Sequence, residues 1–257
     1  VPEFGPEIGP EIGPEIGPEI GPEIGPEIGP EIGQAAETDR MNIIELQRAI
    51  GTKPDGIWGQ KSRDALINAF TNTAAPAITS AEEKTLAQRL GVSTRQLRAV
   101  ALVESAGGGF DRKGMPKILF ERHKFHKHTG GIWSVSTFSN PDGGGYSESS
   151  WDKLVGAVVT GSVDAAFMSA SWGKFQVLGE YWADFGYNSP YEMAHSAVSG
   201  EAAHYTMLVR YIEHFELQDE MKRLSTSPDD CRAFARAYNG RNYEKFDYHT
   251  KMAKAMK

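Results

Sequence analysis

A single cysteine, Cys231, in 257 residues excludes an internal disulfide. Set between Asp230 and Arg232 in a stretch of helical pattern, it reads as a small core residue rather than a nucleophile. No apolar run is long enough to span a membrane, and the chain begins without the basic and apolar regions of a secretion signal. The expectation is synthesis in the cytoplasm and no membrane insertion. A basic excess is missing as well: 27 Lys and Arg stand against 34 Asp and Glu, a formal net charge of −7. The cations are scattered among acids instead of gathered in a stripe, which excludes the electrostatic footprint of a nucleic-acid binder.

Residues 1–33 lack any basic side chain and consist of VPEF followed by seven copies of Gly-Pro-Glu-Ile over residues 5–32. A proline at every fourth position rules out a continuous helix, although Ile8, Ile12 and Ile16 have helical spacing, and a period of four is not the three-residue period of collagen. The segment is expected to be an extended tail outside the fold. Its perfect repetition and the Glu3-Phe4 pair mark it as an engineered addition. Taking its eight glutamates from the 34 acidic residues leaves 26 against 27 basic ones, so residues 34–257 carry a net charge of about +1.

What the remaining sequence does have is one carboxylate placed oddly. In AVALVESAGGGF, residues 99–110, Glu104 follows Leu97, Val100 and Ala101 at the i, i+3, i+4, i+7 spacing of one helix face. That face should turn inward. Ser93 with Gln96 gives a capping-box start, and the three glycines at 107–109 give the stop, so Glu104 falls in the last turn. Burial and the negative end of the helix dipole both disfavour its ionised form. A carboxyl kept protonated near neutral pH is what a general acid needs to protonate a glycosidic oxygen. Glu121, in PKILFERHKF, is the candidate second carboxylate if residues 117–122 form a strand, with Asp142 and Glu148 as rivals on the following loop.

The pattern divides into a unit at 34–73, an Ala/Pro/Thr/Ser linker at 74–80 and a larger unit at 81–257. The first holds two predicted helices, 42–50 and 60–70, around the turn GTKPDGIWG; its core is too small to stand securely alone. The second reads as mainly α with a small β element, with helices predicted near 81–91, 93–104, 151–160, 164–169, 191–215 and 228–238.

Two stretches carry resemblances. IIELQRAIGTKPDGIWGQKSRDALINAF, residues 43–70, resembles the small helical peptidoglycan-binding domain, matching at Leu46, Gln47, Asp55, Gly56, Trp58, Gly59 and Phe70. The resemblance implies a wall-binding role, with Asp55 and Trp58 as its contact residues. VALVESAGGGF, PKILFERHKFHKHTGG, SASWGKFQVLG and RAYNGRNY occur in the order of the phage-type N-acetylmuramidase family, a lysozyme-superfamily group found in endolysins, over roughly residues 81–256. That likeness implies an α+β lysozyme-like domain that cleaves the β-1,4 bond between N-acetylmuramic acid and N-acetylglucosamine, with Glu104 as acid. SWGKFQ and AYNGR are also similar to motifs of goose lysozymes and lytic transglycosylases at Ser171, Gly173, Gln176, Ala237, Tyr238 and Asn239, residues that line the sugar groove in those relatives, the tyrosine touching the acid. Gln176 and Asn239 suit N-acetyl and hydroxyl groups, and Trp172 and Tyr238 offer flat faces for sugar rings.

Other chemistries fit parts of the pattern. A lytic transglycosylase would use Glu104 alone. His123, His126 and His128 raise the prospect of a zinc amidase or peptidase, against which their spacing and the absence of clustered Cys or carboxylate argue. The expectation is a monomer acting on peptidoglycan without cofactor or metal.

Overall fold

The computed structural model describes residues 41–105, 107–133 and 149–257. The repeat tail, and the rival carboxylates Asp142 and Glu148, lie outside the described residues. Helices dominate: α1 (Ile43–Ala49), α2 (Gln60–Ala69), α3 (Ser80–Leu90) and α4 (Thr94–Val103) precede the first strand, β1 (Ile118–Phe120). Then follow α5 (Arg122–His128), α6 (Ser150–Val159), α7 (Val163–Met168), β2 (Ala170–Trp172) and β3 (Val177–Leu178). The chain ends in α8 (Pro190–Ser196), α9 (Glu201–His214), α10 (Gln218–Lys222), α11 (Pro228–Asn239) and α12 (Tyr248–Ala255). The mainly α class with one small sheet is the class the pattern predicts.

Local chemistry sets the helix starts. Asn42 with Glu45, Thr79 with Glu82 and Ser93 with Gln96 each form a reciprocal capping box, the last as the sequence predicts. Gln96 does more than cap: its Nε2 donates to Lys222 O at 2.7 Å, which fixes the start of α4 against the end of α10. Pro190 and Pro228 occupy first-turn positions of α8 and α11. In α11, Cys231, Phe234, Ala235 and Tyr238 form the buried stripe, so the lone thiol is a core group and burial raises its pKa.

Two element boundaries differ from expectation. The helix predicted over 191–215 is broken between α8 and α9, because Gly200 has φ +143° and a Cβ there would lie 2.8 Å from Pro76 Cγ. The incoming chain passes so close that only glycine fits, and its backbone leaves the helical region. The strand predicted over 117–122 stops at Phe120, and Glu121 becomes the N-cap of α5. The strands make one antiparallel sheet in the order β1-β2-β3, with Leu119 opposite Ser171 and Trp172 opposite Val177.

The first two helices share the core of the rest. Phe70 is completely buried, with ring centroids 5.3 Å from Trp151, 5.6 Å from Trp172, 6.0 Å from Phe167 and 5.9 Å from Tyr191. Met41 N–H donates to Asp164 Oδ2 at 3.2 Å, and Ala69 O lies 3.2 Å from His195 Nε2. The segment at 74–80 runs along the larger unit, with Glu201 N–H donating to Pro76 O at 3.0 Å.

Candidate active site

Glu104 is the C-cap of α4, its N–H still bonded to Val100 O at 2.9 Å. Its carboxyl accepts a 2.9 Å bond from Asn239 Nδ2, at the last residue of α11. The residue keeps partial access to solvent, yet sits deep enough among protein atoms that burial raises its pKa to about 7, against opposing pulls from Asn239 and Lys251. Near neutral pH it therefore holds its proton in a large share of molecules. Tyr238, Tyr211 and Tyr248 surround it closely enough that its charge helps to raise their phenol pKa values, behind burial as the main cause. The negative end of α4 acts in the same direction on Glu104.

Glu121 opens α5, where its N–H donates to Ser169 O at 2.8 Å. Ser171 Oγ, on the neighbouring strand, lies 3.4 Å from its Oε1, and His123 Nε2 lies 3.3 Å from its Oε2. The helix that Glu121 starts is fastened at its other end: Glu180 accepts from Lys124 Nζ at 2.7 Å and lies 3.0 Å from His128 Nε2. Burial opposes the Glu180 charge, but these two partners overcome it and pull the pKa down to about 2. Since that folded-state value lies below the ordinary one, the anchor contributes its stability above about pH 4.5 and loses it as pH falls towards 2. Tyr181 links the two halves. Its phenol, pushed up to about 12 by burial and then by Glu180, Asp184 and Glu121, belongs to a ring 5.8 Å from Tyr211, which is itself 5.2 Å from Tyr238 beside Glu104.

Of the residues expected to touch sugar, Ser171 lies against Glu121 and Asn239 against Glu104. Trp172 is fully buried and its indole N–H donates to Phe167 O at 3.2 Å; the rings of Phe70 and Phe167 pack on it at 5.6 and 5.9 Å. Tyr238 is 2% exposed, stacked 5.5 Å from Phe234, and close enough to Glu104 to feel its charge. These two placements correct the expectation of stacking platforms. Ser171, 4% exposed, faces Glu121. Gln176 sits at φ +50° in the β2–β3 turn, and its Nε2 bonds to Gly173 O at 2.7 Å and Lys117 O at 3.3 Å. Asn239, 8% exposed, holds Glu104 directly.

The three histidines diverge. His123 meets Glu121, His128 meets Glu180, and His126 Nδ1 lies 3.2 Å from Trp133 O. Among the described residues no group of three His, Cys, Asp or Glu is arranged to hold a metal, and no helix is long and apolar enough to cross a membrane. Sequence reasoning missed Glu180, Tyr211 and His204. His204, Met207, Leu208 and Tyr211 share the inward face of α9 at helical spacing, a signal that identifies the last two; nothing local marks Glu180.

In the N-terminal turn, Asp55 and Trp58 lie within one compact unit. Buried Gln47 organises it, its Nε2 donating to Ile57 O at 3.0 Å and Ser62 Oγ at 3.1 Å while its Oε1 accepts from Gly56 N–H at 2.9 Å. Asp55 Oδ1 accepts from Ile57 N–H at 3.0 Å, the main cause of its lowered pKa. This explains why Gln, Asp and Gly occur together there: the glutamine amide reads the turn's backbone.

Lys251→Met is expected to raise the Glu104 pKa further, since it removes a charge that favours the carboxylate. The alkaline limb of the pH–activity curve then moves to higher pH; an unmoved limb would show that Lys251 does not act on the acid.

Comparison with known proteins locates the site within a family. The family model described as N-acetylmuramidase matches residues 93–257, a span that includes Glu104, Glu121 and Asn239. The crystal structure of Burkholderia AP3 phage endolysin has a similar fold, with TM-score 0.65 and 24% sequence identity, over 83% of this chain and 93% of that chain. A likeness over 83% of 257 residues exceeds what residues 93–257 can supply, so it extends into the segment before Ser93. No curated protein matches this chain.

Proposed function

The chain belongs to the N-acetylmuramidase family, and from that premise we propose that it is an endolysin that hydrolyses the β-1,4 bond between N-acetylmuramic acid and N-acetylglucosamine. The observation that carries the mechanism is the Glu104 carboxyl, raised to about pKa 7 at a helix end. Protonated, it gives its proton to the glycosidic oxygen as the bond breaks, and Asn239 then steadies the carboxylate that remains. Glu121, oriented by Ser171 and His123, accepts the proton of the attacking water. With a water held between Glu121 and the sugar, the reaction inverts the anomeric centre, which requires the two carboxyls to stand roughly 6.5 to 9.5 Å apart. The fold likeness to a phage endolysin supports this reading. On it, the protein is made in the host cytoplasm and acts on the wall once the membrane is breached. Asp55, Trp58 and the exposed Ile57 of the first unit contact peptidoglycan.

Mass analysis of fragments released from purified peptidoglycan tests the bond and the reaction together. The expected fragments end in reducing N-acetylmuramic acid. Fragments lighter by one water would mean transglycosylation, and reducing N-acetylglucosamine would mean the other bond. NMR of the first-formed product is expected to show the α-anomer; a β-anomer would assign Glu121 as a nucleophile.

A further inference from the structure

We infer that Asn72, with Thr73 and Pro76, is a positioning element for the two carboxylates, so that the N-terminal segment sets catalytic rate and does not merely tether the enzyme to its wall. The inference rests on the assignment of Glu104 and Glu121 made above.

The two carboxylates are joined by one short connection. Beyond the glycines at 107–109 the chain forms a hairpin, with Phe110 bridged to Pro116 and Asp111 N–H donating to Met115 O at 2.8 Å. Asp111 Oδ1 also accepts from Lys113 N–H at 2.8 Å and Met115 N–H at 2.9 Å, so the hairpin is braced internally. It leads straight into β1 and Glu121. Its base is fixed by Lys117 N–H on Gly109 O and Gly173 N–H on Lys117 O, both 2.8 Å. Beneath lies buried His204, which occupies the space a Cβ at Gly109 or Gly173 would need.

The tip is gripped from the N-terminal side. Asn72 N–H donates to Gly114 O at 2.8 Å. Gly114 has φ +79°, and a Cβ there would stand 2.8 Å from Thr73 N and Cα, an approach only glycine permits. The Asn72 side chain meanwhile donates through Nδ2 to Val198 O at 2.8 Å and accepts through Oδ1 from Ala74 N–H at 3.1 Å. Four residues further on, Pro76 packs on Gly200 and receives Glu201 N–H, at the start of the helix that carries His204 and Tyr211. Two residues earlier, Phe70 is locked in the aromatic core. Asn72 is thus a brace between a fixed anchor, the hairpin that connects the carboxylates, and the turn into α9. A flexible tether needs none of these contacts.

The test compares the full chain with its Asn72→Ala and Gly114→Ala variants on a short, soluble, peptide-free glycan and on insoluble walls. On the soluble glycan kcat is expected to fall by about tenfold or more with KM little changed, the scale of loss that small misplacement of reacting groups produces. The alkaline limb of kcat is expected to move to lower pH, because a loosened connection returns water to Glu104. Co-sedimentation with walls stays as in the parent. Unchanged kcat and pH limb on the soluble glycan would overturn the inference, whether wall binding or only thermal stability fell. Should Gly114→Ala fail to fold, Asn72→Ala decides, since it cuts the side-chain bonds to Val198 O and Ala74 N–H that hold the segment gripping Gly114 in place. Glu104→Gln in the same soluble assay reads the underlying assignment separately: retained turnover there would remove Glu104 from the reaction, whatever the two variants do.

Discussion

Glu104→Gln is expected to lower the rate of wall hydrolysis by about 100-fold or more while the protein becomes more stable at alkaline pH. The amide fills the same space and can still meet Asn239, but it has no acidic proton to give. Stability follows from the direction in which the fold moves the pKa. Below about pH 4.5 the carboxyl is protonated in both folded and unfolded chains and contributes nothing; between there and about 7 only the unfolded chain ionises, and the folded state loses ground. At roughly 1.4 kcal/mol for each tenfold change in proton affinity, discounted for the residue's partial exposure, the penalty is about 2 to 3 kcal/mol above pH 7. The glutamine variant escapes it. Urea unfolding at pH 8 should therefore show a gain that vanishes at pH 4, alongside the loss of lysis. A lytic rate within a few-fold of the parent would remove Glu104 from the mechanism, and an equal gain at both pH values would assign the stabilisation to packing.

Phe70→Ala is expected to cost about 3 to 5 kcal/mol, the usual range for emptying a large aromatic site in a core, and to do so across the whole protein. The ring comes from the first unit, yet its neighbours Trp151, Phe167, Trp172 and Tyr191 all belong to the second. Loss of the ring thus weakens the seam between β2, α7 and α8 as well as the end of α2. Thermal unfolding of the variant is expected to remain one transition, displaced to lower temperature. A separate early transition for residues 41–72, with the remainder unfolding as in the parent, would show instead that the first unit is an independent module that happens to lie against the second.

Much of this fold could be read from local pattern because its helices are amphipathic and carry explicit starts. The Ser93–Gln96 box, Pro228 and the stripe through Cys231 and Tyr238 are cases in which sequence spacing and side-chain chemistry suffice. The same holds for Glu104: its place on an inward face at a helix end is visible without any tertiary contact. What could not be read depends on segments distant in sequence. The break at Gly200 exists because Pro76 occupies the space beside it, and no pattern within residues 191–215 encodes that. Trp172 looked like a platform for sugar because the ring that packs on it, Phe70, lies about a hundred residues earlier. Glu121 follows a strand rather than lying within one, since its carbonyl already accepts from Lys124 and Phe125 N–H as the chain coils into α5. The expected linker at 74–80 has the Ala/Pro/Thr composition of a flexible connection, and composition does not encode the bonds that Pro76 O and Ile78 N–H make to Glu201.

Direct titration of the Glu104 side-chain carboxyl by carbon NMR, with Glu104→Gln used to assign its signal, bears most closely on the chemistry. A midpoint near 7 that coincides with the alkaline limb of kcat/KM is the expected result. A midpoint near the ordinary 4.5, with activity persisting well above it, would contradict the assignment of Glu104 as the buried, protonated acid that cleaves the wall.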